Sequence, residues 1–516
     1  MKLIVGITQF LPEWEILISQ IGVSNENISQ NDSIKPDQYS VIIVTKHGLQ
    51  TEKNILLQYL NSGGSILVEA NTAEWLFEIK TFQVFVNILE PIKDTIFNSI
   101  LPGFIQTKLY LPRNGNMLET KSGEKLVQIY TFGKGMALIL PGGFSNMILD
   151  NKVRRRNFPT RALHLPSERV SRRSKHTIRE VIQKSLEHLH FVRQLPFLSL
   201  SPFPEGKQSI FNLRIDTDFA SEEEIDSFYQ LCLKHNISAT WFVETKSARN
   251  RMKQFTRMEN QEIGLHCYQH KVSNKYFFNK SDIQKGTNIL NKANITYCGY
   301  AAPYGEWNFN IAKAIEQANF IYSSEFTLDY DNLPFYPYLI DHFSSVLQIP
   351  VHPICLGRLR NARHSDYRIR CYYKDVINER INHNLPVFIY DHPSIRNVYN
   401  IDWLFQYIKQ KNLKNFSLKD YAAWWKKRLD MKWVPSINKQ NINIEWKRCD
   451  SSMYLKIKKS PQHSSIIKVK KGINISEIRW EKKKLSTKPV TNINLRIKNN
   501  RKMILNDILY LIRKFK

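Results

Sequence analysis

Paired cysteines are missing from this sequence. Its six cysteines, Cys232, Cys267, Cys298, Cys355, Cys371 and Cys449, are scattered with no CxxC spacing. That pattern argues against both a disulfide framework and a thiolate zinc cage, so the thiols are expected to be reduced. No uninterrupted apolar run reaches about 18 residues, the length a spanning helix needs. The opening MKLIVGITQFLPEWEI has no basic leader, and no small-residue cleavage site follows its short apolar run. No signal peptide is expected, and the protein is expected in the cytoplasm. With 21 prolines and 19 glycines in 516 residues, the chain has too few of either for a fibrous or disordered protein.

What is present points to burial and to positive charge. Apolar residues make up 42% and aromatics 12%, enough for large cores, and the length implies two or three domains. The net charge of +28 is uneven: residues 426–516 hold 25 Lys/Arg against 6 Asp/Glu. Such a segment suits a solvated surface, or peripheral contact with an anionic membrane at its inner face or with an acidic glycan. Nucleic acid is not expected as a partner, because the charge comes without a recognition motif.

Residues 1–150 alternate apolar runs with helical patterns: LIVGIT (3–8), VIIVT (41–45) and SILVEA (65–70), with TEKNILLQYLNSGG as an amphipathic helix ending at Gly63 and Gly64. A further strand, GKGMALILPGG (134–143), lies between glycine turns. That rhythm predicts an open, mostly parallel α/β sheet. It resembles the flavodoxin-like sheet of class I glutamine amidotransferase relatives. Amidotransfer needs a cysteine nucleophile, and the first cysteine is Cys232. The domain is therefore expected to serve structure or binding.

Residues 151–204 read as a basic connector with Arg154, Arg155, Arg156, Arg172 and Arg173, a helical stretch, and a proline-broken segment. From 205 to 430 short buried strands alternate with helices: SIFNLRID, ATWFVE, EIGLH, YCGYAAP, FIYSS, LQIPV and PVFIYDH. These seven strands predict an incomplete parallel (β/α) barrel, whose reactive groups belong at the C-terminal strand ends. Residues 431–516 read as a small antiparallel β domain followed by a basic amphipathic helix, MILNDILYLIRKFK.

The strand ends carry the chemistry. SIFNLRID ends in Asp216-Thr217-Asp218, and alternation along an extended chain places both carboxylates on one side. Their repulsion is relieved if a divalent cation sits between them, or if one binds metal while the other holds a proton. EIGLH ends at His266, with His270 four residues on. Together with Asp218 they make two nitrogens and one oxygen, a set that leaves a zinc coordination position open for water. Asp391-His392-Pro393 ends the last strand, where a histidine can protonate a leaving amine.

The set RIDTD, HCYQH, AAPYG (301–305) and YDHP resembles, in order and spacing, the polysaccharide deacetylases with a NodB-like domain. The resemblance implies removal of N-acetyl groups from a carbohydrate, such as a surface polysaccharide or lipopolysaccharide precursor sugar. It implies Asp216 as general base, Asp218, His266 and His270 as ligands of a divalent metal, zinc above all, and His392 as general acid. Pro303, Tyr304 and Gly305 would line the substrate groove, with the Tyr304 N–H binding the oxyanion. Ala301 stands where the family usually has an arginine beside the base. Arg214, two residues before Asp216, shares its side of the strand and is placed to substitute. The fourth motif, an acid with a tryptophan, is absent; EFTLDYDNLPF (325–335), with Asp329 and Asp331, occupies that interval. A glycan-binding pseudo-deacetylase and a hydrolase of another amide or ester linkage are the competing readings.

Overall fold

The computed structural model describes residues 1–28, 33–92, 95–120 and 123–482, together with Leu505 and Ile508. The part of the expected β domain beyond residue 482 and, apart from those two residues, the expected terminal helix lie outside the described residues. The chain divides into two compact units: Met1–Asp150 with Arg173–Gly206 and Trp425–Thr491, and Asn151–Arg172 with Lys207–Trp424 and Asn492–Lys516. Among the described residues no helix is long and apolar enough to cross a membrane.

The first unit is built on a nine-stranded sheet. Asn25–Asn27, Val5–Ile7, Val41–Val44, Ser65–Glu69 and Gly135–Leu140 lie parallel, in that order. Val41–Val44 is buried at every residue, as a parallel strand covered on both faces must be. The helix Gln50–Asn61 stops where expected, because Gly63 takes a φ of +100°, a conformation costly for any residue with a Cβ. Beyond Gly135–Leu140 the sheet continues with four antiparallel strands, Lys125–Phe132, Met117–Thr120, Thr81–Glu90 and Gly103–Pro112. The expectation of a mostly parallel sheet thus holds for one half of it. Thr81–Glu90 alternates buried and exposed positions only toward its end, so its period-2 signal is weak.

The proline-broken segment after the helix Lys175–Phe191 is a strand, not plain connector: Phe197–Leu200 is fully buried and pairs antiparallel with Tyr454–Ser460. Antiparallel strands do follow residue 431, at Lys432–Asn438, Asn441–Arg448, Tyr454–Ser460 and His463–Lys468, and fall in this same unit, whereas 475–480 holds a short 3-10 turn, Ile475–Glu477, in place of a strand. Some of the basic excess works inside it. Arg428 is fully buried, donates to the carbonyls of Ser19, Gln20, Leu200 and Ser201, and lies 4.5 Å from the Trp425 ring centre.

Glu187 on the helix Lys175–Phe191 is buried between Lys184 and Lys458. Burial alone would raise its carboxyl, but the two lysine charges and hydrogen bonds from Lys458 and Gln183 hold it down to about 2. A depressed carboxylate contributes stability that is complete above its unfolded value near 4.5 and is lost as pH falls from there through about 2. Glu187→Gln is therefore expected to cost on the order of 2–4 kcal/mol at neutral pH, because each tenfold change in proton affinity is worth about 1.4 kcal/mol. It should also flatten the loss of stability between those two pH values, as read by urea unfolding across that range.

In the second unit seven parallel strands form the barrel: β1 (Ile210–Asp216), β2 (Thr240–Glu244), β3 (Glu262–Cys267), β4 (Gly299–Tyr300), β5 (Tyr322–Ser323), β6 (Leu347–Gln348) and β7 (Val387–Asp391). Their order is β6-β5-β4-β3-β2-β1-β7, with Lys414–Asn415 paired beside the start of β1. The two edges meet where the His352 N–H donates to the Phe388 carbonyl at 2.9 Å. Alternation explains the β1 sequence. Phe211, Leu213 and Ile215 pack into the core shared with the helices Glu222–His235 and Val398–Gln410, leaving Asn212, Arg214 and Asp216 on the other face. That face is buried as well, and the Asn212 amide nitrogen on it donates to the Thr240 hydroxyl and the Phe416 carbonyl.

Candidate metal centre

β1 ends at Asp216, so strand alternation does not place Asp218; a turn does. The Ala220 N–H closes it onto the Thr217 carbonyl at 2.9 Å, and Asp218 takes a φ of +40°, in the left-handed region that aspartate tolerates better than most residues. Thr217, the residue between the two aspartates, pins this turn. Its N–H donates to the Phe242 carbonyl, and its hydroxyl accepts from the Glu244 N–H, each at 3.0 Å. The Ser247 hydroxyl donates to the Asp218 carbonyl at 3.2 Å.

The turn points the Asp218 carboxylate at three imidazoles. Asp218 Oδ1 lies 3.2 Å from His266 Nε2 and 3.3 Å from His270 Nε2, and Oδ2 lies 3.4 Å from His392 Nε2. His266, on β3, is held at its far nitrogen: Nδ1 is 2.7 Å from the Ala301 carbonyl. A carbonyl only accepts, so Nδ1 carries the proton, and Nε2 of the neutral ring turns a lone pair toward Asp218. Both Asp218 Oδ1 and His266 Nε2 are buried without a hydrogen-bond partner. Two facing acceptors of this kind fit a shared cation. Zinc with bonds of about 2.0–2.1 Å in tetrahedral geometry separates its ligand atoms by about 3.3 Å, close to the spacings found. The ligand atoms of Asp218, His266 and His270 all lie within 4.8 Å of one another.

The electrostatics agree with the geometry. Burial works to raise the Asp218 carboxyl, yet the close imidazoles of His266 and His270 and the charge of His392 hold it well below the usual carboxylate range. Burial works to lower His392, but its hydrogen bond with Cys355 and the negative charges of Asp218 and Asp216 push it up to about 10. Cys355 is buried, and its sulfur, a carboxylate oxygen of Asp391 and a ring nitrogen of His392 form a second close group. Burial pushes Asp391 itself up to about 7, although it accepts from the Leu356 N–H and the Asn397 amide.

Asp216 is held differently. Arg214 grips it with two parallel hydrogen bonds, Nε to Oδ1 at 2.7 Å and Nη2 to Oδ2 at 2.6 Å, the strong fork-to-fork form. Arg214 Nη1 donates to the Ser324 carbonyl, and its guanidinium carbon lies 5.3 Å from the centre of the Phe242 ring and 5.5 Å from that of Tyr390.

Pro303–Gly305 form a tight turn beyond β4, closed by the Gly305 N–H on the Ala302 carbonyl at 2.9 Å. Tyr304 takes a φ of +61°, and its ring centre lies 4.6 Å from that of His270. Gly305 takes a φ of +58°, and a Cβ there would lie 2.4 Å from the Phe326 ring. In the interval of the missing fourth motif, Asp329 is buried and accepts from the Asp331 N–H, and neither belongs to a metal-competent cluster among the described residues. Glu325, which begins that segment, accepts from the Ala302 N–H and is pushed up to about 7 by burial.

The structure thus brings Asp218, His266, His270 and His392 together, sets Asp216 beside them under Arg214, and puts Tyr304 against His270. Cys355 carried no motif that would have marked it, since it reaches His392 through a contact between segments far apart in sequence.

The family model of polysaccharide deacetylase matches residues 213–323. The match runs from within β1 to the end of β5 and takes in Asp216, Asp218, His266, His270 and Pro303–Gly305; His392 lies beyond it. No curated protein matches the chain. Among solved structures, an allantoinase is 14% identical and covers 44% of this chain and 93% of its own, with a TM-score of 0.38. A CE4 family pseudoenzyme from Bacillus anthracis is 14% identical over 52% of this chain and 90% of its own, with a TM-score of 0.31. A family 4 carbohydrate esterase from Streptomyces lividans, solved with acetate, is 13% identical over 40% of this chain and 91% of its own, with a TM-score of 0.30.

Proposed function

We propose that this chain, which carries a polysaccharide deacetylase segment of NodB-like type, is a metal-dependent hydrolase that removes N-acetyl groups from a carbohydrate. The observation that carries the reading is the convergence of three imidazoles on the single carboxylate of Asp218, two of them within 3.3 Å of its buried Oδ1.

Asp218, His266 and His270 would hold the metal, with zinc the ion their donor set favours. When bound, it supplies Lewis acidity toward the acetamide carbonyl and lowers the pKa of a coordinated water toward about 7. Asp216, oriented by Arg214, takes the proton of the water that attacks the carbonyl carbon. The Tyr304 N–H stabilises the negative charge that develops on the carbonyl oxygen, a role whose loss costs about 10²- to 10³-fold in other enzymes. His392 gives its proton to the nitrogen of the departing amine. The C–N bond breaks, and acetate and a free amino sugar leave.

One observation favours a second reading, glycan binding without turnover: both oxygens of Asp216 already accept from Arg214. The remaining lone pair on each oxygen is what a base would use. Acetate release by the purified, zinc-loaded chain from a panel of N-acetylated oligosaccharides separates the two. Turnover that a chelator abolishes and zinc restores is expected; sugar binding with no acetate released would establish the second reading instead.

A further inference from the structure

Two large aromatic side chains in contact with His270 stand partly in solvent. Phe219 is 69% exposed and Tyr304 is 44% exposed. Their ring centres lie 5.7 Å and 4.6 Å from that of His270, at interplanar angles of 63° and 70°. Single exposed apolar residues need no explanation, but these two come from separate turns, and each turn contains a non-glycine residue at positive φ: Asp218 at +40° and Tyr304 itself at +61°. Strain of that kind persists only where the surroundings over-determine it, and it gathers at functional sites. The direction of Phe219 is fixed by the bonds that fix its neighbours. The Ala220 N–H donates to the Thr217 carbonyl, the Ser247 hydroxyl to the Asp218 carbonyl, and Arg251 to the Ala220 carbonyl. The Asp218 turn therefore does two things at once, aiming a carboxylate inward and a phenyl ring outward at the same rim.

We propose that Phe219, with Tyr304, is the platform on which the apolar face of a pyranose ring rests, so that the ring's acetamido group enters over His270 and Asp218. The proposal rests on the deacetylase reading and names the part of the substrate that reading leaves open. A six-membered sugar offers a C–H face to an aromatic ring and a polar edge to water, whereas an acyclic amide offers no such face. An aromatic ring loses little conformational freedom on making such a contact, having only two side-chain torsions to fix.

The test is isothermal titration of the zinc-loaded full chain with tetramers of N-acetylglucosamine and of N-acetylgalactosamine. Phe219→Ala is expected to weaken the Kd for the tetramer that binds by about tenfold, the scale of one aromatic contact, and Phe219→Tyr to restore it to within about twofold. In turnover, Phe219→Ala should lose about tenfold in kcat/KM on the sugar relative to its own kcat/KM on N-acetylethanolamine, which has no ring to rest. The platform is overturned if wild type binds neither tetramer, if Phe219→Ala binds as tightly as wild type, or if Phe219→Tyr is as weak as Phe219→Ala. A wild type that binds a tetramer in this Phe219-dependent way but releases no acetate would overturn the deacetylase reading and leave the platform standing.

Discussion

His266→Ala is expected to abolish zinc binding and lower acetate release by on the order of 10³-fold or more, since even outer partners of metal ligands cost 10- to 100-fold when removed. The ring is fixed at Nδ1 by the Ala301 carbonyl, which sets its Nε2 3.2 Å from Asp218 Oδ1. A second readout separates metal loss from unfolding. Anything that binds the native state alone stabilises it by mass action, so zinc should raise the melting temperature of wild type and leave that of His266→Ala unmoved. Without zinc the variant is expected to be less stable by about 1–3 kcal/mol, because the buried Ala301 carbonyl loses its donor. A variant that still binds zinc stoichiometrically and turns over at the wild-type rate would remove His266 from the ligand set.

Much of this site was legible because strand ends and short loops carry it. His266 and His270 are four apart at the end of β3, and Asp218 is two residues past the end of β1, so local chain geometry brings each to the mouth of the barrel. The way Asp218 gets there was not legible. Alternation predicts an extended chain through Asp218, but the strand gives way to a turn that the Thr217 hydroxyl stabilises through the Glu244 N–H on the neighbouring strand, a partner 27 residues away. Arg214 was legible for the same reason that Asp216 was, since period-2 alternation puts both on one face of β1. Cys355 was not, because nothing in the residues around it announces a contact with His392. The first unit shows the same limit. Its helix and parallel strands follow from local pattern, whereas Phe197–Leu200 looks like a proline-interrupted linker until Tyr454–Ser460 pairs with it across more than 250 residues. Parallel pairs linked by short crossovers can be read from rhythm; antiparallel pairs closed over such distances cannot.

Arg214→Met is expected to lower kcat by about 10²- to 10³-fold while the protein keeps its zinc, with KM for the sugar little changed. The ligand atoms of Asp218, His266 and His270 do not touch the guanidinium, so metal content should survive; what is lost is the lock on Asp216. A carboxylate that must receive a proton from an attacking water has to hold its oxygens at hydrogen-bond reach of that water, and a misplacement of about 1 Å can cost 10²-fold. Both oxygens are fixed by bonds of 2.7 and 2.6 Å to one planar group, itself wedged between Phe242 and Tyr390 and tied to the Ser324 carbonyl. Removing it also leaves a buried carboxylate without its counter-charge, which costs about 3–5 kcal/mol of stability; the rate must therefore be measured well below the variant's melting temperature. Arg214→Lys serves as the control, because it keeps the charge and loses the fork. A purely structural arginine would let lysine restore stability and rate together. An arginine that positions the base predicts a split, with stability mostly recovered in Arg214→Lys and kcat still depressed at least tenfold, because one ammonium cannot hold two carboxylate oxygens in a plane. If Arg214→Met kept the wild-type kcat, Arg214 would not be what positions Asp216, and the fork between them would be structural alone.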